Sequence, residues 1–131
     1  MSQENVELTR RAFQAFNDRD LDALLAGLHD DVEAFPHLAA LEGGYRGHDG
    51  VRRWWAHLLG AFRDFRVEIL EVRDLGEFIV LALRLRGRGA QSDTPLDAAV
   101  WQVNQFRDGK VIRWRVYTSE SAALEAVGLR E

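Results

Sequence analysis

The chain has 131 residues, 47% of them hydrophobic and 29% charged, enough for one globular domain with a core that needs no covalent staples. It has no cysteine, which excludes disulfides, thiolate metal sites and a thiol nucleophile, and its net charge of -4 with both signs scattered disfavours nucleic acid. No apolar run approaches the roughly 20 residues of a membrane span, and Met1 to Asn5 lacks a signal-peptide pattern, so a cytoplasmic location is expected.

Ser2 to Phe16 reads as a helix. Ser2 is its candidate cap, Glu4 and Glu7 sit near the positive end of the dipole, and Val6, Ala12, Phe13 and Phe16 share a stripe. Asn17-Asp18-Arg19-Asp20 interrupts it, and Asp20 can cap a second helix, Leu21 to Leu28. Val32 to His37 reads as a short strand broken by Pro36. The glycine-punctuated stretch from Gly43 to Gly50 reads as a loop. A third helix, opened by His48 or Asp49, runs from Gly50 to Phe62 and carries Trp54, Trp55, Leu58 and Leu59.

From Phe65 onward the period shortens. Val67, Ile69 and Val72 suggest one strand, and Phe78 to Arg86 alternates as a second. Leu96 to Phe106 and Val111 to Thr118 are two more, joined by Arg107-Asp108-Gly109-Lys110, where Asp-Gly supplies the positive φ of a tight hairpin. A short helix from Ser119 or Ser121 to Val127 ends at Gly128. Helices segregated from a meander of strands define an α+β domain spanning residues 1–131, without repeats or linkers.

Several strings in this order resemble the SnoaL-like group of the nuclear-transport-factor-2-like superfamily. They are Ala15 to Leu24, Asp31-Val32-Glu33, Leu41 to Trp54, Phe106 to Trp114 and Ala122 to Leu129. The resemblance implies a curved antiparallel sheet wrapped on three N-terminal helices into a cone, with a pocket at the wide end and a homodimer through the outer sheet face. Members include ketosteroid isomerase, polyketide cyclases, limonene-type epoxide hydrolases and non-catalytic binders, so the fold does not choose the function. Where ketosteroid isomerase has a Tyr and two Asp, this chain places Ala12, Phe35 and Gln102, and that apparatus is missing.

Strand alternation then selects a site. Glu33, Phe35 and His37 share one face of the first strand, and Gln102, Asn104 and Phe106 one face of a late strand; by the resemblance both faces point into the cone. Glu33 is the candidate general base, or else a surface carboxylate at a strand start. His37 could move a proton or bond a carbonyl, or be a plain loop histidine. Gln102 and Asn104 could hold a ligand oxygen, or satisfy each other and the backbone. Phe16, Phe35, Trp54 and Trp114 complete the expected lining; adjacent on a helix, Trp54 and Trp55 cannot both face the pocket squarely.

No metal-ligand spacing, nucleotide-binding loop or nucleophile elbow occurs, so no metal and no cofactor are expected. The expected partner is a small apolar organic molecule bearing oxygen. Either cofactor-independent acid-base chemistry (isomerase, cyclase or hydrolase-like) or non-catalytic carriage or sensing would suit it. A third possibility is an interaction module with a filled interior.

Overall fold

The computed structural model describes residues 2–36 and 44–128. Its elements are α1 (Ser2–Asn17), α2 (Leu21–Ala26), β1 (Leu28–Phe35), β2 (Tyr45–Arg46), α3 (Gly47–Ala61), β3 (Phe62–Asp74), β4 (Phe78–Gly89), β5 (Pro95–Arg107), β6 (Lys110–Tyr117) and α4 (Glu120–Ala126). The side chain of Ser2, the expected cap of α1, lies outside the described residues, as do His37 and Gly43.

The six strands form one curved open sheet in the order β2-β1-β6-β5-β4-β3. Every neighbouring pair is antiparallel except β1 and β6, which run parallel and align Ala34 with Trp114. The Asp108-Gly109 turn has the expected positive φ at both residues, 54° and 76°, which matches the right-handed twist of the β5–β6 hairpin. Of the register shifts in the sheet, the one between Ile69 and Glu71 leaves Leu70 unpaired and 55% exposed, and the one between Gln105 and Phe106 displaces Ile112. The first explains why the apolar series Val67, Ile69, Val72 breaks its two-residue step.

Asp20 caps α2 by accepting from the Ala23 backbone N–H at 3.1 Å. That helix ends earlier than its apolar pattern suggests: Gly27 closes it and Leu28 already pairs with β6 opposite Val111, so β1 begins well before Val32. Helix α3 likewise starts at Gly47, and neither His48 nor Asp49 caps it. His48 Nε2 donates instead to the Leu28 carbonyl at 2.9 Å, and Asp49 pairs with Arg52 at 2.7 Å. Ser119 caps α4, accepting from the Ala122 N–H at 3.2 Å.

The α1–α2 junction anchors the free edge of the sheet. Asn17 Nδ2 donates to the Val67 carbonyl at 2.9 Å, and the Val67 N–H donates back to Asn17 Oδ1 at 3.0 Å. Arg19, at φ 61°, donates to the Phe16 and Phe65 carbonyls. Partial burial first, then the neighbouring Arg66, lowers its pKa from the usual arginine value. β3 is an edge strand, and these contacts occupy backbone groups it would otherwise offer to another chain.

The main core lies between the inner sheet face and α1–α3, with Leu25, Val32, Ala34, Val51, Ile79, Leu81 and Leu83 almost wholly buried. On the outer face α4 covers a smaller cluster, Val80, Val103 and Ala123, flanked by Trp101 and Tyr117. Ion pairs also lie on that face. Arg84 of β4 pairs with Asp97 of β5 at 2.7 Å, and Arg86 with Glu68 of β3 at 3.1 Å. No helix among the described residues is long and apolar enough to cross a membrane.

Candidate functional site

Between α1, α3 and the inner sheet face lies a cavity of about 90 Å³. Phe13 and Phe16 of α1, Trp54 and Leu58 of α3, Leu83 of β4, and Trp114 and Val116 of β6 contribute apolar walls, with Pro36 just beyond β1. The aromatic walls touch one another. Trp54 meets Trp114 edge to face with centroids 5.1 Å apart, Phe16 lies 5.8 Å from Trp54, and Phe65 stands edge-on to Phe16 at 5.7 Å. Such pairs add about 0.5–1.5 kcal/mol each beyond their area burial.

Two polar side chains break this lining, Gln102 and Asn104 of β5, 9% and 5% exposed. They sit two apart on one strand face, opposite Val116 and Trp114 of β6. Gln102 Nε2 donates to Asn104 Oδ1 at 2.8 Å. That bond uses one donor and one acceptor of a pair that has more of both. Gln102 Oε1 and Asn104 Nδ2 have no protein partner among the described residues, yet no fully occluded side-chain N or O there lacks one. The two free atoms therefore retain accessible surface, and the space beside them is the cavity.

No Asp, Glu, Lys, Arg or His among the described residues lines the cavity. Nor do the described residues gather three or more His, Asp or Glu as a metal cluster.

Seven of the eight residues singled out from the sequence lie among the described residues and can be compared with this cavity. Phe16, Trp54, Gln102, Asn104 and Trp114 line it, and Phe35 does not. Trp55 packs edge-on against Phe16 at 5.5 Å from outside the lining, as the 100° step between neighbouring helical residues requires. Of the two proposed proton carriers, His37 lies outside the described residues. Glu33 is placed, and the expected parity of the first strand is corrected there.

Val32 and Ala34 are fully buried and Pro36 is buried, so the even positions face inward; Glu33 and Phe35 face outward. Glu33 pairs with Arg46 of β2 at 2.9 Å. The Phe35 ring lies between the Arg113 and Arg115 guanidiniums, 4.9 and 5.1 Å from its centroid. The resemblance had implied the opposite face. Ala34 is small enough to sit beside its register partner, the bulky Trp114, on the inner face. Phe13 and Val116 also line the cavity; their sequence signals were the helical stripe shared by Phe13 and Phe16 and the two-residue step from Trp114.

Residues 9–114 match the SnoaL-like domain family, and the chain belongs to it. Among solved structures it is similar to TerC co-crystallised with polyporic acid, at 23% identity and a TM-score of 0.78, covering 96% of this chain and 99% of that one. It is also similar to a protein of Jannaschia sp. CCS1 provisionally assigned as a SnoaL-like polyketide cyclase, at 21% identity and a TM-score of 0.77, covering 98% and 94%. A third is a hypothetical protein from Catenulispora acidiphila DSM 44928 with a ketosteroid isomerase-like fold, in complex with trimethylamine, at 18% identity and a TM-score of 0.77, covering 94% and 93%. At these identities the likeness is one of fold. None of the curated proteins matches this chain.

Proposed function

We propose that this SnoaL-like domain binds a small, largely apolar organic molecule bearing one or two polar atoms, in the cavity between α1, α3 and the sheet. The observation that carries this reading is the Gln102–Asn104 pair: two buried carboxamides that bond each other and keep a free donor and a free acceptor beside an aromatic wall. Both free atoms remain accessible from the cavity, so the site is suited to a ligand that completes them in place of water. Similar folds hold polyporic acid in one case and trimethylamine in another, which supports an organic occupant.

A thermal-shift screen of small aromatic, terpenoid and polyketide-like compounds tests the reading. A ligand bound only by the native state stabilises it, by about 2.7 kcal/mol at a hundred times Kd. Saturable stabilisation that Trp114→Ala or Asn104→Leu removes is the expected result. Shifts unaffected by either change would reject the cavity as the site.

Catalysis is the second reading, and with Glu33 engaged by Arg46 its candidate proton carrier is His37. Glu33 faces away from the cavity, at 2.9 Å from Arg46. An enzyme of this kind would move a proton on a carbonyl-type substrate without a cofactor. Once a ligand is found, His37→Gln should abolish its conversion and retain its binding; conversion at the wild-type rate would remove His37 from the reaction.

A further inference from the structure

We infer that the cavity selects an uncharged ligand whose polar edge both donates and accepts a hydrogen bond, the chemistry of a lactam or carboxamide. This rests on the small-molecule reading above and narrows it to a ligand class.

The hydrogen-bond inventory of the polar pair sets the requirement. Gln102 and Asn104 each carry one carbonyl oxygen and one NH2 group. Their mutual bond joins the NH2 of Gln102 to the oxygen of Asn104, leaving the Gln102 oxygen and the Asn104 NH2 to the cavity. Exchanging oxygen and nitrogen in both carboxamides reverses the bond and changes nothing essential. One free oxygen and one free NH2 still remain, on neighbouring inward positions of the same strand.

A ketone or ether satisfies only the NH2 and leaves the oxygen without a donor. An ammonium answers only the oxygen, and a hydrocarbon answers neither. A cis-amide edge, N–H beside C=O, answers both groups at once. Water can do the same, so an organic ligand must replace both bonds to displace it without loss.

The described walls offer a charged group no partner. No ionisable side chain among the described residues lines the cavity, so a carboxylate or ammonium would enter an apolar site without a counter-charge. The aromatic faces of Trp54 and Trp114 could attract a cation, but the free carboxamides offer it only the Gln102 oxygen and leave the Asn104 NH2 unanswered. Size limits the rest. An engineered apolar cavity of about 150 Å³ holds benzene. At about 90 Å³ this one suits a five-membered ring or a short chain, with any larger part of the ligand outside.

The test uses the full-length protein and four probes built on one ring size: 2-pyrrolidinone, cyclopentanone, methylcyclopentane and pyrrolidinium. Affinities are measured by calorimetric or NMR titration. The expected result is that 2-pyrrolidinone binds at least about tenfold more tightly than cyclopentanone and tighter still than the other two, because a site built to bond a group rejects the analogue lacking it. In the double variant Gln102→Leu/Asn104→Leu the order should reverse in favour of methylcyclopentane. Removing both partners together avoids stranding either one, and thermal unfolding checks that the variant is folded.

Equal binding of the ring probes, or a preference for cyclopentanone, methylcyclopentane or pyrrolidinium in the wild type, would overturn the inference while leaving a small-molecule site in place. Failure of every probe to bind would overturn the inference and the small-molecule reading together. The wild-type ranking decides the matter even where the double variant fails to fold.

Discussion

Trp54 and Trp114 meet edge to face across the cavity, centroids 5.1 Å apart and planes at 68°, so one aromatic contact joins α3 to β6. Trp114 is 6% exposed, and replacing it with Ala should cost about 3–5 kcal/mol in urea unfolding, the usual range for a large buried ring. Trp54 is only partly buried and should cost less. A double-mutant cycle should show a coupling of about 0.5–1.5 kcal/mol. Strict additivity would mean that the rings merely adjoin.

The parity of β1 makes a second prediction. Val32 faces the core, and Val32→Ala should destabilise by roughly 2 kcal/mol, from two lost methyl groups and the space they leave. Glu33→Gln acts on a partly exposed ion pair with Arg46, and should change stability by less than about 1 kcal/mol and ligand binding not at all. Loss of binding in Glu33→Gln would return that carboxylate to the site.

On β5 strand alternation put Gln102 and Asn104 on one face, the resemblance turned that face inward, and both side chains line the cavity. On β1 the face implied by the resemblance is the wrong one: Phe35 lies outside, against two arginines that only the parallel pairing with β6 brings near. That pairing joins segments some eighty residues apart and leaves no local trace. The two-residue strand β2, Tyr45–Arg46, is too short to show alternation. The bulge at Leu70 was visible only as an irregular apolar step, interpretable once the β3–β4 register is known.

Asn17 supplies a third prediction. Its side chain both donates to and accepts from the backbone of Val67 on the edge strand. Asn17→Ala removes two hydrogen bonds at about 1 kcal/mol each and should destabilise by roughly 2 kcal/mol. Hydrogen exchange at the Val67 amide should rise more than elsewhere in β3. Unchanged protection there would show that the clamp does not hold the edge.

The Arg84–Asp97 pair gives a pH dependence. The side-chain hydrogen bond from Arg84 lowers the Asp97 pKa, and the same bond raises that of Arg84. A carboxylate whose pKa is depressed on folding stabilises the fold above its unfolded value of ~3.9, and that contribution is lost as pH falls through the folded value. The pair is exposed, so the effect should be small and should shrink with added salt. Asp97→Asn should be less stable than the wild type near neutral pH and equal to it at about pH 2. A gap that persists in acid would assign the loss to packing.

The central claim is that Gln102 and Asn104 present free polar atoms to a ligand inside an aromatic cavity. Side-chain amide and indole N–H resonances, followed by two-dimensional NMR during titration with 2-pyrrolidinone, test it most directly. The expected result is saturable shifts of the Asn104 NH2 and of the Trp54 and Trp114 indoles, all fitting one dissociation constant. Shifts confined to residues outside the cavity, with these signals unmoved at saturation, would contradict it.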